Sequence, residues 1–418
     1  MKVILKNLFS LGFVQGINLM IPLIVTPYLI KTIGVSNFGT VALAQSVVAF
    51  LVLFVDFGFN VTSVRRIAQA HGNKQEIKDI INGVFFLKAV LLIASFIIFL
   101  AVIVLVPQFK HNFFIFLFSF TIVIGQAFLP IWFYQGTEEI NKTIIPVVIF
   151  KIFSTALIFY FIKTKADTPY INFYFGLGNI LTGLVLYYFI TRNYGISIKH
   201  VTIRSLKDEV KGSIAIFFSN LSVVLYSNSA LFILSFFLTP HTLGIYSIVD
   251  KMIQILKALL GLVHQVTYPR ICNMVKEAEN SLSGFIKKMY SIVWSVILVV
   301  CVLLFLKPGI FVSYFVKDQE SQIFASEILR YFSFILFIVS LNMPFYQTLL
   351  AYKKDWLTVR ILFLGSLTSV ILNIILVPLL NVKGTIISMY VAETLVTTLL
   401  AYYTLKLKII YDHRKLFK

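Results

Sequence analysis

The sequence predicts an all-α integral membrane protein with twelve transmembrane helices arranged as two six-helix lobes. Three observations predict it. Of the 418 residues, 59% are hydrophobic and only 13% are charged, far more apolar surface than a soluble core of this length uses. The apolar residues gather into segments of about twenty, the length a helix needs to cross a bilayer. The chain also repeats itself weakly at half its length. IGVSNFGTVALAQS at 33–46 lies over LTPHTLGIYSIVDK at 238–251, so Gly39 matches Gly244 and Gln45 matches Asp250. Six spans, a long basic connection and six more spans give lobes 1–200 and 201–418. An even number of spans per lobe makes the repeats parallel.

The expected spans are 8–30, 38–59, 80–106, 113–134, 144–162 and 170–191, then 212–238, 243–266, 285–306, 325–351, 357–379 and 385–406. The first holds Gly12 and Gly16 at the GxxxG spacing that lets helices approach closely. Gln15 and Asn18 share one face of it, with Asn7 further back, and Pro22 and Pro27 interrupt its hydrogen-bond ladder. In the second span Gln45 and Asp56 are eleven residues apart and lie on one face. Lys88 in the third span and Lys151 in the fifth each sit about eight residues from the end of a segment; a lysine there costs about 2.5–3.5 kcal/mol on insertion scales. Snorkelling to the surface is the structural alternative for both.

The eighth span, LGIYSIVDKMIQILKALLGLVHQV, is unlike the rest. At the helical period Ser247, Asp250, Gln254, Lys257, Gly261 and His264 form one stripe, and the opposite face is Ile, Leu, Val and Met. Asp250 and Lys257 lie about 20° apart round the axis. Such a stripe must face other helices or water. Lys257 stands roughly 14 Å from the nearer end of the span, further than its stem reaches comfortably. Arg330 and Arg360 start their spans and read as interfacial. Glu393 in the twelfth span shares a face with Tyr390 and Thr397. Its structural reading is a salt bridge to a lysine inside the protein, and its functional one is binding of a proton or sodium ion.

The net charge of +19 follows from topology. With a cytoplasmic N-terminus, the cytoplasmic connections hold Arg65, Arg66, Lys74, Lys78, Arg192, Lys199, Arg204, Lys207, Lys211, Arg270, Lys276, Lys287, Lys288, Lys353, Lys354 and the tail Arg414, Lys415 and Lys418. The opposite loops hold far fewer cations, among them Lys31, Lys110, Lys163, Lys165 and Lys317. This bias places both termini in the cytoplasm, and nucleic acid need not be invoked. The first apolar run is too long for a signal-peptide core. Cys272 and Cys301 make neither a disulfide framework nor a metal-ligand spacing. There is no phosphate-binding glycine loop, no HExxH, no Cys-His cluster and no nucleophile beside a base. The expectation is therefore no catalysis, no cofactor and no bound metal.

Two stretches carry a family resemblance. IPLIVTPYLIKTIGVSNFGTVALAQSVVAFLVLFVDFGFNVTSVRRIA at 21–68 and LPIWFYQGTEEINK at 129–142 closely resemble bacterial O-antigen flippases of the Wzx group. These belong to the multidrug, oligosaccharidyl-lipid and polysaccharide exporter superfamily. The second half agrees in span count and character. The resemblance implies a MATE-like fold, a central cationic cavity, and rocking between inward-open and outward-open states. It implies as substrate an oligosaccharide on undecaprenyl pyrophosphate, moved across the bacterial inner membrane. The implied partners are membrane lipid, a coupling cation (proton or sodium), O-antigen polymerase and a chain-length regulator. Combined with the polar residues, it assigns Lys88, Lys151 and Lys257 to the pyrophosphate or to acidic sugars. Gln45, Asn18 and Gln254 are assigned to sugar hydroxyls, and Asp250, Glu393 and Asp56 to the coupling ion. The alternatives are a flippase for another lipid-linked glycan, such as capsule or enterobacterial common antigen, and a multidrug–cation antiporter of the same fold.

Overall fold

The computed structural model describes residues 2–70, 72–194, 203–276 and 282–415. The side chains of Asn7, Gly12, Gln15, Arg204, Lys276, Arg414 and Lys415, and Lys199 and Lys418 altogether, lie outside the described residues. Among the described residues every regular element is a helix. Chain contacts divide it into two compact units, 1–224 and 225–418.

The first unit begins with α1 (Lys2–Asp56), two helical segments that meet at a kink at Gly34, where φ is 83° and ψ is 163°. Only glycine occupies that region readily, and there the expected first and second spans meet. α2 (Phe59–Gln69) and α3 (Lys74–Leu105) follow. Asn73 caps α3 by accepting hydrogen bonds from the backbone N–H groups of Gln75 and Glu76, satisfying two of the first-turn donors. α4 (Pro107–His111) leads to α5 (Phe113–Phe128) and α6 (Ile131–Gly136). The break between the last two comes at Leu129 and Pro130, because a residue before proline avoids the helical region. α7 (Asn141–Phe161), a 3-10 turn at Lys165–Asp167, α8 (Tyr170–Tyr194) and the first two-thirds of α9 (Ile203–Ser235) complete the unit.

Close packing of this unit comes from small residues on α5 and α8. A Cβ at Gly125 would fall 2.7 Å from Asn179 Cβ, and one at Gly183 would fall 2.8 Å from the Phe128 carbonyl oxygen. The Gly12/Gly16 pair was the expected site of such an approach. At Gly16 an added Cβ meets nothing within 4 Å, so that glycine makes no close helix approach among the described residues. Below this packing Phe59, Ile67, Ile81, Trp132, Tyr134 and Leu186 form one buried cluster.

The second unit holds the end of α9, then α10 (Pro240–Lys276), α11 (Leu282–Leu306), α12 (Pro308–Phe315), α13 (Gln319–Phe332), α14 (Ile335–Ala351), α15 (Asp355–Leu380) and α16 (Val382–Lys415). Gly365 packs against Val396 and Gly384 against the Leu376 backbone, so α15 and α16 also meet through glycines. A buried knot of Thr267, Tyr290 and Gln347 joins α10, α11 and α14. Tyr290 donates to Gln347 Oε1 at 2.8 Å, and Gln347 Nε2 donates to the His264 carbonyl at 3.2 Å.

Among the described residues ten helical stretches are long and apolar enough to cross a membrane. The chain is a multi-pass membrane protein. The count differs from the expected twelve for two physical reasons. The first stretch, Gly16–Gln69, contains two expected spans joined at Gly34. α10 is not among the ten, because Asp250, Lys251 and Lys257 interrupt its apolar run. Exposed isoleucines such as Ile93, Ile97, Ile145 and Ile152 form the surface that lipid would cover.

Candidate functional site

In the first unit the polar groups of α1, α2 and α3 converge. α1 ends at Asp56, and the next two residues, Phe57 and Gly58, take positive φ of 45° and 84° before α2 starts. Gly58 is needed there. Its φ is left-handed, and a Cβ would come 3.0 Å from both the Ile216 side chain and the Ser213 carbonyl oxygen. The turn leaves Asp56 and Asn60 on either side of Lys88. The Lys88 ammonium donates to Asp56 Oδ1 at 3.1 Å and to Asn60 Oδ1 at 3.0 Å. Its side chain is 2% exposed and that of Asp56 is 18% exposed. Lys88 therefore does not snorkel; it sits in an ion pair. Beside the pair lies a cavity of about 260 Å³, lined by Asp56, Asn60, Gln126, Asn220 and apolar residues of α1 and α9.

Three further predicted residues, Lys151, Asn18 and Gln45, have partners in this unit. Lys151 on α7 donates to Asn18 Oδ1 on α1. Gln45 donates to Asn172 Oδ1 at 2.8 Å, and Asn172 in turn donates to Ser119 Oγ at 2.7 Å. That amide chain ties α1, α5 and α8 together.

In the second unit the stripe of α10 is present. α10 starts at Pro240 and runs on to Lys276, well past the expected end at 266, so Lys257 lies near its middle. Lys257 Nζ stands 3.7 Å from Glu393 Oε1 on α16, with side chains 26% and 5% exposed. Asn342 on α14 donates to the other carboxylate oxygen of Glu393 at 3.4 Å. The Tyr226 ring of α9 lies 6.0 Å from the Lys257 ammonium. One turn back along the stripe, Gln254 donates to Asp250 Oδ2 at 2.6 Å. The His264 ring stacks on Tyr268 with centroids 5.5 Å apart.

The structure thus pairs Lys88 with Asp56, Lys151 with Asn18, Lys257 with Glu393 and Gln254 with Asp250. Each pair lies within one unit. Sequence reasoning missed Asn60, Gln126 and Asn220 in the first unit, and Tyr226 and Asn342 in the second. All five are uncharged polar residues, and all but Asn60 sit in otherwise apolar stretches of helix. A reading that weighs charges passes over them, although each needs a polar neighbour inside a membrane protein. Among the described residues no three His, Cys, Asp or Glu side chains are grouped to hold a metal ion. What the clusters offer is charge pairing and hydrogen bonding.

Comparison with known proteins gives a consistent picture. A family described as "Polysaccharide biosynthesis protein" matches residues 4–275. A curated protein of Escherichia coli (strain K12), named "Putative O-antigen transporter", is 28% identical over 402 residues, 94% of this chain and 95% of that protein. Among solved structures, an inward-facing multidrug resistance MATE family transporter of the MOP superfamily superposes with a TM-score of 0.70 at 14% identity. It covers 93% of this chain and 99% of its own. The lipid II flippase MurJ in an inward closed conformation superposes with a TM-score of 0.66 at 16% identity, covering 94% of this chain and 86% of its own. The chain has the fold of these transporters.

Proposed function

Since this chain belongs to the polysaccharide biosynthesis protein family, we propose that it is a flippase for an O-antigen oligosaccharide unit on undecaprenyl pyrophosphate. It carries the unit from the cytoplasmic to the periplasmic leaflet of a bacterial inner membrane. It is a transporter and not an enzyme. Both termini are cytoplasmic, and the two lobes, 1–200 and 201–418, alternate access by rocking.

The observation that carries this reading is the Lys257–Glu393 pair. A lysine in the middle of a membrane helix is retained only where it has work or a partner. At 3.7 Å the pair is loose, and Lys257 keeps 26% exposure. A pyrophosphate brings more negative charge than one carboxylate, so it competes with Glu393 for the ammonium. A proton or sodium ion at Glu393 removes the competitor. Headgroup binding and cation binding then favour each other, which is what coupling requires. Asp250 and Gln254 extend the polar track one turn along α10. Lys151 is a second cationic contact. Lys88 is weaker, since Asp56 already neutralises it.

The test is complementation in the strain that owns the gene cluster, with this gene deleted and surface polysaccharide run on a gel. The wild-type chain restores long chains. Lys257→Ala, present in the membrane at the same level, loses them. Full restoration by that variant removes the central site from the reading.

A further inference from the structure

The cavity beside the Lys88–Asp56 pair has a chemistry of its own. At about 260 Å³ it falls below the roughly 300–1,000 Å³ of drug-sized ligand sites. It suits one sugar ring and not a whole oligosaccharide. Its charges cancel, because the one ammonium is bonded to the one carboxylate. A pyrophosphate gains nothing there.

The remaining polar groups are unspent. Asp56 Oδ1 and Asn60 Oδ1 accept from Lys88, which leaves Asp56 Oδ2 as an acceptor and the Asn60 amide as a donor. The side chains of Gln126 and Asn220 bond to no described residue. Gln126 is exposed on an apolar helix, and an amide in that position faces water or a polar ligand, never lipid. Two free amides, one carboxylate oxygen and one amide donor offer planar acceptors and donors together. Vicinal hydroxyls, each a donor and an acceptor, match that set. The apolar wall of Val52, Leu53 and Val223 matches the C–H face of a pyranose.

We propose that this cavity is a monosaccharide subsite for an uncharged hexose ring of the transported glycan, read by Gln126, Asn220, Asn60 and Asp56. The proposal rests on the flippase reading and adds a second contact point remote in sequence from Lys257. The ion pair holds Asp56 and Asn60 in place and keeps the subsite neutral. A site built to bond hydroxyls favours a ring that carries them, because a ring without them leaves these amides and the carboxylate oxygen unpaired while it covers them.

The experiment is ligand protection of engineered cysteines in the purified full-length chain, with Cys272→Ser and Cys301→Ala to remove background. Gln126→Cys reports on the cavity and Gln254→Cys on the α10 stripe. Alkylation by a maleimide is followed with two probes. One is lipid-linked glycan extracted from the deletion strain, the other the same polyprenyl pyrophosphate without sugar. The expected result is that the glycan-bearing lipid slows alkylation of Gln126→Cys about tenfold at about ten times its Kd, while the bare pyrophosphate slows only Gln254→Cys. Asn220→Cys repeats the measurement if Gln126→Cys does not fold. Equal protection of the cavity by both probes overturns the proposal and assigns the cavity to the headgroup. Protection of the stripe alone by both probes also overturns it, and leaves the flippase reading standing. No protection at either place overturns both.

Discussion

At the scale of single residues, the charges inside the spans differ by how fully they are paired. Lys88 is 2% exposed and bonded twice, and removing one member of such a buried pair leaves an uncompensated charge. Lys88→Ala should lower the stability of the purified protein by about 3–5 kcal/mol, toward the lower figure because Asp56 keeps some exposure. The double variant Lys88→Met with Asp56→Leu should recover much of the loss, since an apolar pair of similar volume is often neutral. Thermal unfolding in detergent reads both. If the single and double variants unfold alike, the pair is not what Lys88 contributes. Lys257 is the contrasting case. Its ammonium stands 3.7 Å from Glu393, which also accepts from Asn342, so Lys257→Ala should cost less stability than Lys88→Ala and should abolish transport.

At the scale of elements, two features carry distinct expectations. α5 and α8 approach so closely that a Cβ at Gly176 would strike Thr121. Helices in lipid associate through such packing and have little hydrophobic drive to replace it. Gly176→Val should therefore reduce folded protein in the membrane several-fold, measured by fluorescence-detected size exclusion, whereas Gly16→Val should not. The turn between α7 and α8 is held differently. Asp167 Oδ2 accepts from the Thr164 N–H at 2.8 Å, the Lys163 N–H at 3.0 Å and the Thr164 hydroxyl at 2.9 Å. These bonds hold the exposed carboxyl below the usual carboxylate range, backbone donation from Lys163 being the largest cause. A depressed pKa means the turn is stabilised above the unfolded value of about 3.9 and loses that stabilisation as pH falls through the lower folded value. Amide exchange at Lys163 and Thr164 should speed up over that window, and Asp167→Asn should show fast exchange already at neutral pH. A flat exchange profile for the native chain would remove the capping role.

At the scale of the whole molecule, the charge bias of the connections predicts orientation. Lys163→Cys and Lys317→Cys should react with a membrane-impermeant thiol reagent in intact spheroplasts. Lys74→Cys should react only after lysis. The reverse pattern would turn the transport direction round and leave the paired sites intact.

How much was legible in the sequence differs by level. Apolar length gave the helices, since lipid leaves the backbone no other way to satisfy its hydrogen bonds. Helical period gave the α10 stripe, because a period needs only one strand of chain to be visible. The Gly34 junction falls between two expected spans, at a residue whose backbone limit is local, whereas the expected span at 113–134 ran straight through the break at Pro130. The charged members of each cluster were visible for the same reason, since a charge in an apolar run stands out alone. Their partners were not. Asn60 meets Lys88 only because Phe57 and Gly58 both take positive φ, and Asn342 meets Glu393 across 51 residues of sequence. The cavity at Gln126 and Asn220 needs four helices, α1, α2, α5 and α9, brought together. Local chemistry fixes which side chains cannot face lipid. Which of them meet, and therefore whether a lysine is a neutralised strut like Lys88 or a loosely held cation like Lys257, depends on packing between distant helices, and that only the tertiary structure decides.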